Sequence, residues 1–360
     1  MNYDELLKLY KSNEFRKIDS QDNAKKFYLI RSISKSKTLT KFCNRFNCEN
    51  DLNQILNSEA ITIQAITDFI NENFIAKTVA EIKAIESELN KMQNFDWGGS
   101  AGNSLEKNIV NNYIKKTLHY EDIEKAITGN ILNSVYGYTM NSWYNHWSSI
   151  MIEEIFNAHK RIIPTLDLVE KIDFFIDGIP FDLKVTYFPE ELMKEKIADS
   201  LYEKYGSKSE LTCTKNVIKS LDIAMPHDLK DRAMLICLQN LLRERETTSQ
   251  EARDFLKYIS DLKQQVILYY EQNPNELIRW LYENQGEMRF DAANRFFVVL
   301  TDSSNIFDSW KLKRNMSLLQ HSINSKLDTF SSEQVNKIDF YWKKDGKFYT
   351  AISEILFIIK

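Results

Sequence analysis

The segment Lys171 to Thr186, KIDFFIDGIPFDLKVT, sets Asp173, Asp182 and Lys184 among Ile, Phe, Leu and Val. Charges in an apolar strand pair lower its stability unless a ligand or a partner needs them there. Asp177-Gly178 between the two apolar runs reads as a favoured two-residue type I′ turn. Counting back from that turn places Ile176 opposite Ile179, Phe175 opposite Pro180, Phe174 opposite Phe181 and Asp173 opposite Asp182. Cross-strand pairs alternate in type, so the two aspartates fall in a non-hydrogen-bonded pair with Cα atoms about 4.5 Å apart. Pro180 falls in the same kind of pair, where its missing N–H costs the ladder nothing.

The two-residue side-chain period sorts the faces. Ile172, Phe174, Ile176, Phe181, Leu183 and Val185 make one apolar face, while Asp173, Asp182 and Lys184 share the other. Like charges directly opposite each other destabilise a strand pair. A divalent cation between them reverses that sign, and Mg²⁺ is typically held by one or two carboxylates, waters and substrate phosphate. The hairpin therefore reads as a metal cradle with an ammonium beside it. The plainer alternative is a solvent-facing sheet surface on which Lys184 neutralises the acids.

A third acid comes from the preceding run, Met140 to Lys160, MNSWYNHWSSIMIEEIFNAHK, which has the spacing of an amphipathic helix. On a 100° wheel Trp143, Trp147, Ile150, Met151, Ile155 and Ala158 share one face. Glu154 falls within that face and needs a partner if buried, whereas Glu153 falls on the other side. The wheel points Glu154 toward the hairpin; a rotated wheel would point Glu153 there.

Residues 31–45, RSISKSKTLTKFCNR, hold Arg31, Lys35, Lys37, Lys41 and Arg45 with no acid among them. This is either a solvated helix face or a phosphate-contacting surface. Cys43, Cys48, Cys213 and Cys237 lack the short-gap spacing of a zinc site, and the five histidines do not complete one. Reduced thiols are expected. GGSAGN within 95–103 is followed by no Lys-Ser/Thr pair, so it reads as a loop and not a phosphate cradle.

These candidates sit in a helix-rich frame. Nine glycines and five prolines in 360 residues are few, which argues for long helices and against an all-β fold. Residues 1–95 show helical spacing, as in Ile61, Ile63, Ile66, Phe69, Ile70 and Phe74, and are expected to form a helical N-terminal region, a possible DNA-binding or dimer contact. Residues 104–360 are expected to hold the core, with a helical insertion at about 189–285. RFFVVLT (295–301) reads as a buried strand. The C-terminal KIDFYWKKDGKFYTAISEILFIIK reads as a second hairpin turning at Asp345-Gly346, with Asp339 opposite Ile352. The net charge of −4 argues against non-specific coating of nucleic acid but permits a local basic surface. No signal-peptide pattern or apolar run of membrane length occurs, so a cytoplasmic protein with no membrane partner is expected.

At Asp173, Asp182 and Lys184 the sequence resembles the PD-(D/E)xK nuclease superfamily, which includes the type II restriction endonucleases. Asp173 matches the motif's first acid, with Ile172 in place of the name-giving proline. Phe181-Asp182-Leu183-Lys184 carries the second acid and the lysine. The helix acid found in many members would be Glu154, or Glu153 on the rotated wheel. The resemblance covers residues 140–190 firmly and 290–301 loosely. It implies a mixed, helix-rich α/β fold: a restriction-endonuclease-like core of a central mixed sheet flanked by helices, with large helical additions. It further implies a Mg²⁺-dependent endonuclease acting on double-stranded DNA at a specific sequence. Asp173, Asp182 and Glu154 would be metal ligands and Lys184 catalytic, with Lys35, Lys37, Lys41 and Arg45 as candidate nucleic-acid contacts. Cutting both strands suggests a homodimer. The alternatives are a non-sequence-specific nuclease of the same superfamily and a non-catalytic helical scaffold.

Overall fold

The computed structural model describes residues 1–12, 14–93, 105–226, 229, 231–284, 293–343 and 345–360; the glycine-rich stretch 95–103 lies outside the described residues. The fold is mixed α/β, 62% helical, with an open mixed sheet of six strands. These are β1 (Ile162–Val169), β2 (Ile172–Ile176), β3 (Ile179–Tyr187), β4 (Arg295–Thr301), β5 (Lys337–Trp342) and β6 (Lys347–Ile359), in the order β1-β2-β3-β4-β6-β5. Among the described residues no helix is long and apolar enough to cross a membrane. The chain divides into two compact units.

The first unit comprises Met1–Val185, Ile278–Val298 and Lys313–Leu356. Its β2–β3 hairpin has the register read from the sequence: Phe174 pairs Phe181, Phe175 pairs Pro180 and Ile176 pairs Ile179. Asp177 and Gly178 take φ of 50° and 82°, the two positive angles of a type I′ turn. Asp177 is clamped in that conformation by the Arg161 guanidinium, which also donates to the Leu327 and Phe330 carbonyls. On one face of the hairpin Phe174 stacks on Phe156 of the helix Leu132–Asn157, with ring centroids 4.8 Å apart, and Phe296 meets both rings. Val169, Ile172 and Phe175 join the core of the N-terminal helices, built around Tyr3, Tyr10, Phe27 and Tyr28, and Phe175, which the two-residue period sets on the face of Asp173, makes that face partly apolar. Residues 1–95 share this unit with the sheet.

Three details differ from the sequence reading. β1 was not expected, since the sequence reading assigned residues 161–170 to no element. It occupies the sheet's edge, where a proline is tolerated, and pairs with β2 through Ile162–Ile176 and Pro164–Phe174. The C-terminal hairpin has a register two residues away from the expected one: Trp342 pairs Lys347, and Asp339 faces Thr350 instead of Ile352. Gly346 N–H donates 3.0 Å to Trp342 O, and Gly346 (φ 71°) leads into β6. The even shift leaves every side chain on its expected face. The helix Leu132–Asn157 also turns a different side inward, as described with the site below.

The second unit, Thr186–Leu277 with Val299–Leu312 and Phe357–Lys360, contains the helices Glu190–Tyr205, Glu210–Ser220, Asp231–Arg245 and Gln250–Gln272, matching the expected helical stretch. Its interior ion pair, Lys263 Nζ to Glu210 Oε1 at 2.7 Å, also receives Gln239 Nε2 at 2.6 Å. The end of β4 meets the C-terminus in parallel: Lys360 N–H donates to Thr301 O and Ser303 N–H to Lys360 O.

Phe174 is fully buried between Phe156 and Phe296. Phe174→Ala should therefore cost about 3–5 kcal/mol in urea unfolding. A loss below about 1 kcal/mol would mean that this aromatic layer does not hold the helix to the sheet.

Candidate active site

The regular β2–β3 ladder runs from the turn to Phe174–Phe181. Continued one step, it would carry Leu183 N–H to Ile172 O. Leu183 N–H donates instead to Asp173 Oδ2, at 2.6 Å. The strands separate where the two aspartates meet, and β3 turns to its other neighbour: Asp182 N–H donates 3.0 Å to Asn294 O, just before β4. Thr165 Oγ1 of β1 holds the Asp173 carbonyl at 3.2 Å.

Both oxygens of Asp182 face cations. Lys184 Nζ lies 2.6 Å from Oδ1 and Arg295 Nε 3.4 Å from Oδ2. The Asp182 side chain is 13% exposed, Lys184 29% and Arg295 1%; Lys184 thus neutralises Asp182 as the plainer alternative expected, on a face that is half-buried instead of fully solvated. Arg295 also lies over the Tyr282 ring, 4.7 Å from its centroid. Burial and the Asp182 charge push the Asp173 carboxyl up to about 6, against the Leu183 N–H bond and the Lys184 charge, which lower it. An acid this disfavoured in its ionised form is a group waiting for a counter-charge.

The helix acid is the main correction. Glu153 is half-buried and raised to about 7 by burial, then by Asp173 and by Glu154. Glu154 Oε2 accepts the backbone N–H of Lys77 at 3.1 Å. The acid in the field of Asp173 is thus Glu153, where the wheel had pointed Glu154. The buried stripe of this helix runs through Ser134, Gly137, Asn141, Tyr144, Ser148, Met151, Ile152, Ile155 and Phe156. Small and polar residues line the close approach, and Trp143, Trp147 and Ile150 are only half-buried while Ala158 is exposed. The inward face is rotated by about 100° from the one that hydrophobicity selects, which sets the two glutamates on opposite flanks of the stripe.

In the basic stretch, Lys35, Lys37 and Lys41 are exposed. Arg45, also exposed, makes a two-pronged ion pair with Glu72, with Nη2 at 3.0 Å from Oε1. The helix Ser36–Phe46 is docked on β1 by Asp167, whose carboxylate accepts Lys35 N–H at 2.9 Å and Thr38 Oγ1–H at 2.8 Å. Lys37, Thr38 and Lys41 line an open cleft of about 240 Å³ with Phe69, Asn73 and Leu166. The four cysteines are free thiols.

The sequence reading missed Arg295, whose one signal was a cation heading an otherwise apolar strand. Among the described residues no three His, Cys, Asp or Glu side chains converge as a metal site. The oxygen-only pair Asp173–Asp182 still suits Mg²⁺, which needs one or two carboxylates and keeps several waters. It does not suit zinc, which favours nitrogen and sulfur donors. No protein-family model matches the chain, and neither a curated protein nor a solved structure is found similar to it.

A pH dependence follows for the metal-free protein. The folded Asp173 keeps its proton up to about pH 6, whereas the unfolded chain releases it near the ordinary 3.8. Between those values the folded state binds more protons, so stability falls as pH rises, by roughly 2–3 kcal/mol from this group. Glu153 acts in the same direction up to about pH 7, weakened by the part of it that reaches water. In chelator, Asp173→Asn should flatten the difference between about pH 4 and about pH 8 in urea unfolding. An unchanged pH profile would contradict this reading of Asp173.

Proposed function

We propose that this protein is a Mg²⁺-dependent phosphodiesterase of the PD-(D/E)xK kind that cuts double-stranded DNA. The observation supporting this is the opposed, half-buried Asp173–Asp182 pair at the break in the hairpin ladder, with Lys184 two residues along the same strand. Asp173 and Asp182 would hold the cation, and Glu153, raised in part by the charge of Asp173, is the helix acid whose field reaches the pair. Bound Mg²⁺ would stabilise charge developing on the phosphate and lower the pKa of an attacking water. Lys184, held beside Asp182, would orient that water and offset phosphate charge. Arg295 keeps the Asp182 carboxylate in place from the sheet's interior, and the Leu183 N–H does the same for Asp173.

Cleavage at a specific sequence, as in a type II restriction enzyme of a bacterial cytoplasm, rests on the motif resemblance and on the large helical additions to the sheet. Digestion of a long mixed-sequence duplex with Mg²⁺, followed by end sequencing, tests it. Discrete fragments are expected. A smear would reduce the reading to a non-specific nuclease, and intact DNA would remove the nuclease reading.

Asp182→Asn is nearly isosteric and should leave the hairpin folded while cleavage drops at least ~10³-fold, about 4 kcal/mol of transition-state stabilisation. Glu153→Gln should lose more activity than Glu154→Gln, and the reverse order would restore the original wheel phase. A folded Asp182→Asn protein cutting at the wild-type rate would remove this hairpin as the active site.

If the exposed lysines contact phosphate, Lys37→Ala and Lys41→Ala should each lower the slope of log affinity against log salt by about 0.9, without altering sequence preference. An unchanged slope in both would make the stretch a solvated helix face.

A further inference from the structure

The helix Ser36–Phe46 ends at Asn47, whose φ of 47° and ψ of 49° put it in the left-handed region. Two amides beyond the helix return to one carbonyl: Asn47 N–H and Cys48 N–H both donate to Cys43 O, the second at 3.1 Å. A bond from the sixth residue back to the first, around a left-handed residue, is the Schellman type of helix end. In it the side chains at the first and sixth positions meet. Here those positions are Cys43 and Cys48. Such a closure draws the two Cα atoms into the range of roughly 4.4–6.8 Å that a disulfide spans. The sulfurs are neighbours too: burial pushes the Cys43 thiol up to about 12, and a hydrogen bond with the Cys48 thiol adds to the rise.

The two thiols differ in access. Cys43 is 3% exposed within the core of the N-terminal helices, and its Sγ–H donates to Glu49 O at 3.4 Å. Cys48 is half-buried at the edge of that core. An oxidant therefore reaches Cys48 first, with Cys43 behind it as the second thiol. Cys213 and Cys237 lie on two other helices, Glu210–Ser220 and Asp231–Arg245, and Cys213 Sγ–H donates to Ser207 O.

We propose that Cys43 and Cys48 are an oxidative modification site, closed to an intrachain disulfide by exchange with a low-molecular-weight disulfide such as oxidised glutathione. The Cys48 thiolate attacks one sulfur of that disulfide, forming a mixed disulfide and releasing one glutathione thiolate. Cys43 then loses its proton and attacks the Cys48 sulfur; the bond from Cys48 to glutathione breaks, and the second glutathione thiolate leaves. Two electrons pass to glutathione, and the two protein protons end on its thiols. Because burial keeps Cys43 protonated, this second step is the slow one. Oxidation ties the last turn of the helix that carries Lys37 and Lys41 to the residue beyond its cap, and gives up the weak S–H bond to Glu49 O. A disulfide that forms and reverses by exchange is the kind that a reducing compartment permits. The inference is independent of the phosphodiesterase reading.

The test is incubation of the folded full chain with excess oxidised glutathione, followed by acid quenching, alkylation of the remaining thiols and tryptic digestion. Trypsin cuts after Arg45, between the two cysteines, so the disulfide joins peptide 42–45 to peptide 46–77. In wild type that linked pair should be the main form of both peptides, and dithiothreitol should separate it. Cys43→Ser should stop at the mixed disulfide, with glutathione on Cys48. Cys48→Ser should leave Cys43 unmodified at least ~10-fold longer than in wild type. Circular dichroism of each variant checks its folding. The proposal is overturned if wild type keeps glutathione on Cys48 without forming the link, or if the link forms only in urea that unfolds the chain. It is also overturned if neither thiol reacts, or if either joins Cys213 or Cys237 as readily as its neighbour.

Discussion

The structure around the site depends on one unfavourable contact, the approach of two carboxylates in a place that water reaches poorly. Asp173 and Asp182 are brought together by a turn whose geometry leaves the strands no other register, and the apolar layers on both sides prevent the hairpin from opening to relieve them. The molecule offsets the repulsion in three ways. Lys184 and Arg295 take the two oxygens of Asp182, Leu183 N–H takes an oxygen of Asp173, and the Asp173 proton is held to a higher pH. Each is a substitute for a cation, and the ladder hydrogen bond given up at Leu183 is part of the cost.

This arrangement explains why charge sits where packing alone would place valine or isoleucine. A core built for stability would replace the Asp182–Lys184–Arg295 cluster by apolar side chains with little loss. The cluster is instead held rigidly: Asp182 between two strands, Arg295 fully buried over Tyr282, Asp173 fixed through both its carbonyl and its carboxylate. Rigid placement of mutually repelling acids is what binding of a small, hard cation requires.

The parts legible in the sequence were those fixed by local chemistry. Asp177-Gly178 determined a turn, the turn determined a register, and the register determined which residues face one another across positions 174–181. The strand Arg295–Thr301 was readable because seven consecutive residues are buried and a polar residue ends the run. What failed was decided by tertiary packing. The wheel for residues 140–160 assumed that the largest apolar side chains face inward, yet Ser148 and Asn141 do so because the helix packs closely there, and Glu153 followed. The Asp345-Gly346 dipeptide promised a two-residue turn, and a longer loop formed at the same place. Arg295 could be assigned only once Asp182 was seen beside it, 113 positions earlier in the chain.

The most direct measurement is Mn²⁺ binding followed by electron paramagnetic resonance, with Mn²⁺ standing in for Mg²⁺ and no DNA present. Wild-type protein should remove at least one Mn²⁺ per chain from the free-ion signal, and Mg²⁺ should displace it. The double variant Asp173→Asn/Asp182→Asn, with its folding checked by circular dichroism, should remove none at that site. Equal Mn²⁺ binding by the two proteins would contradict the central claim that this carboxylate pair exists to hold a metal ion.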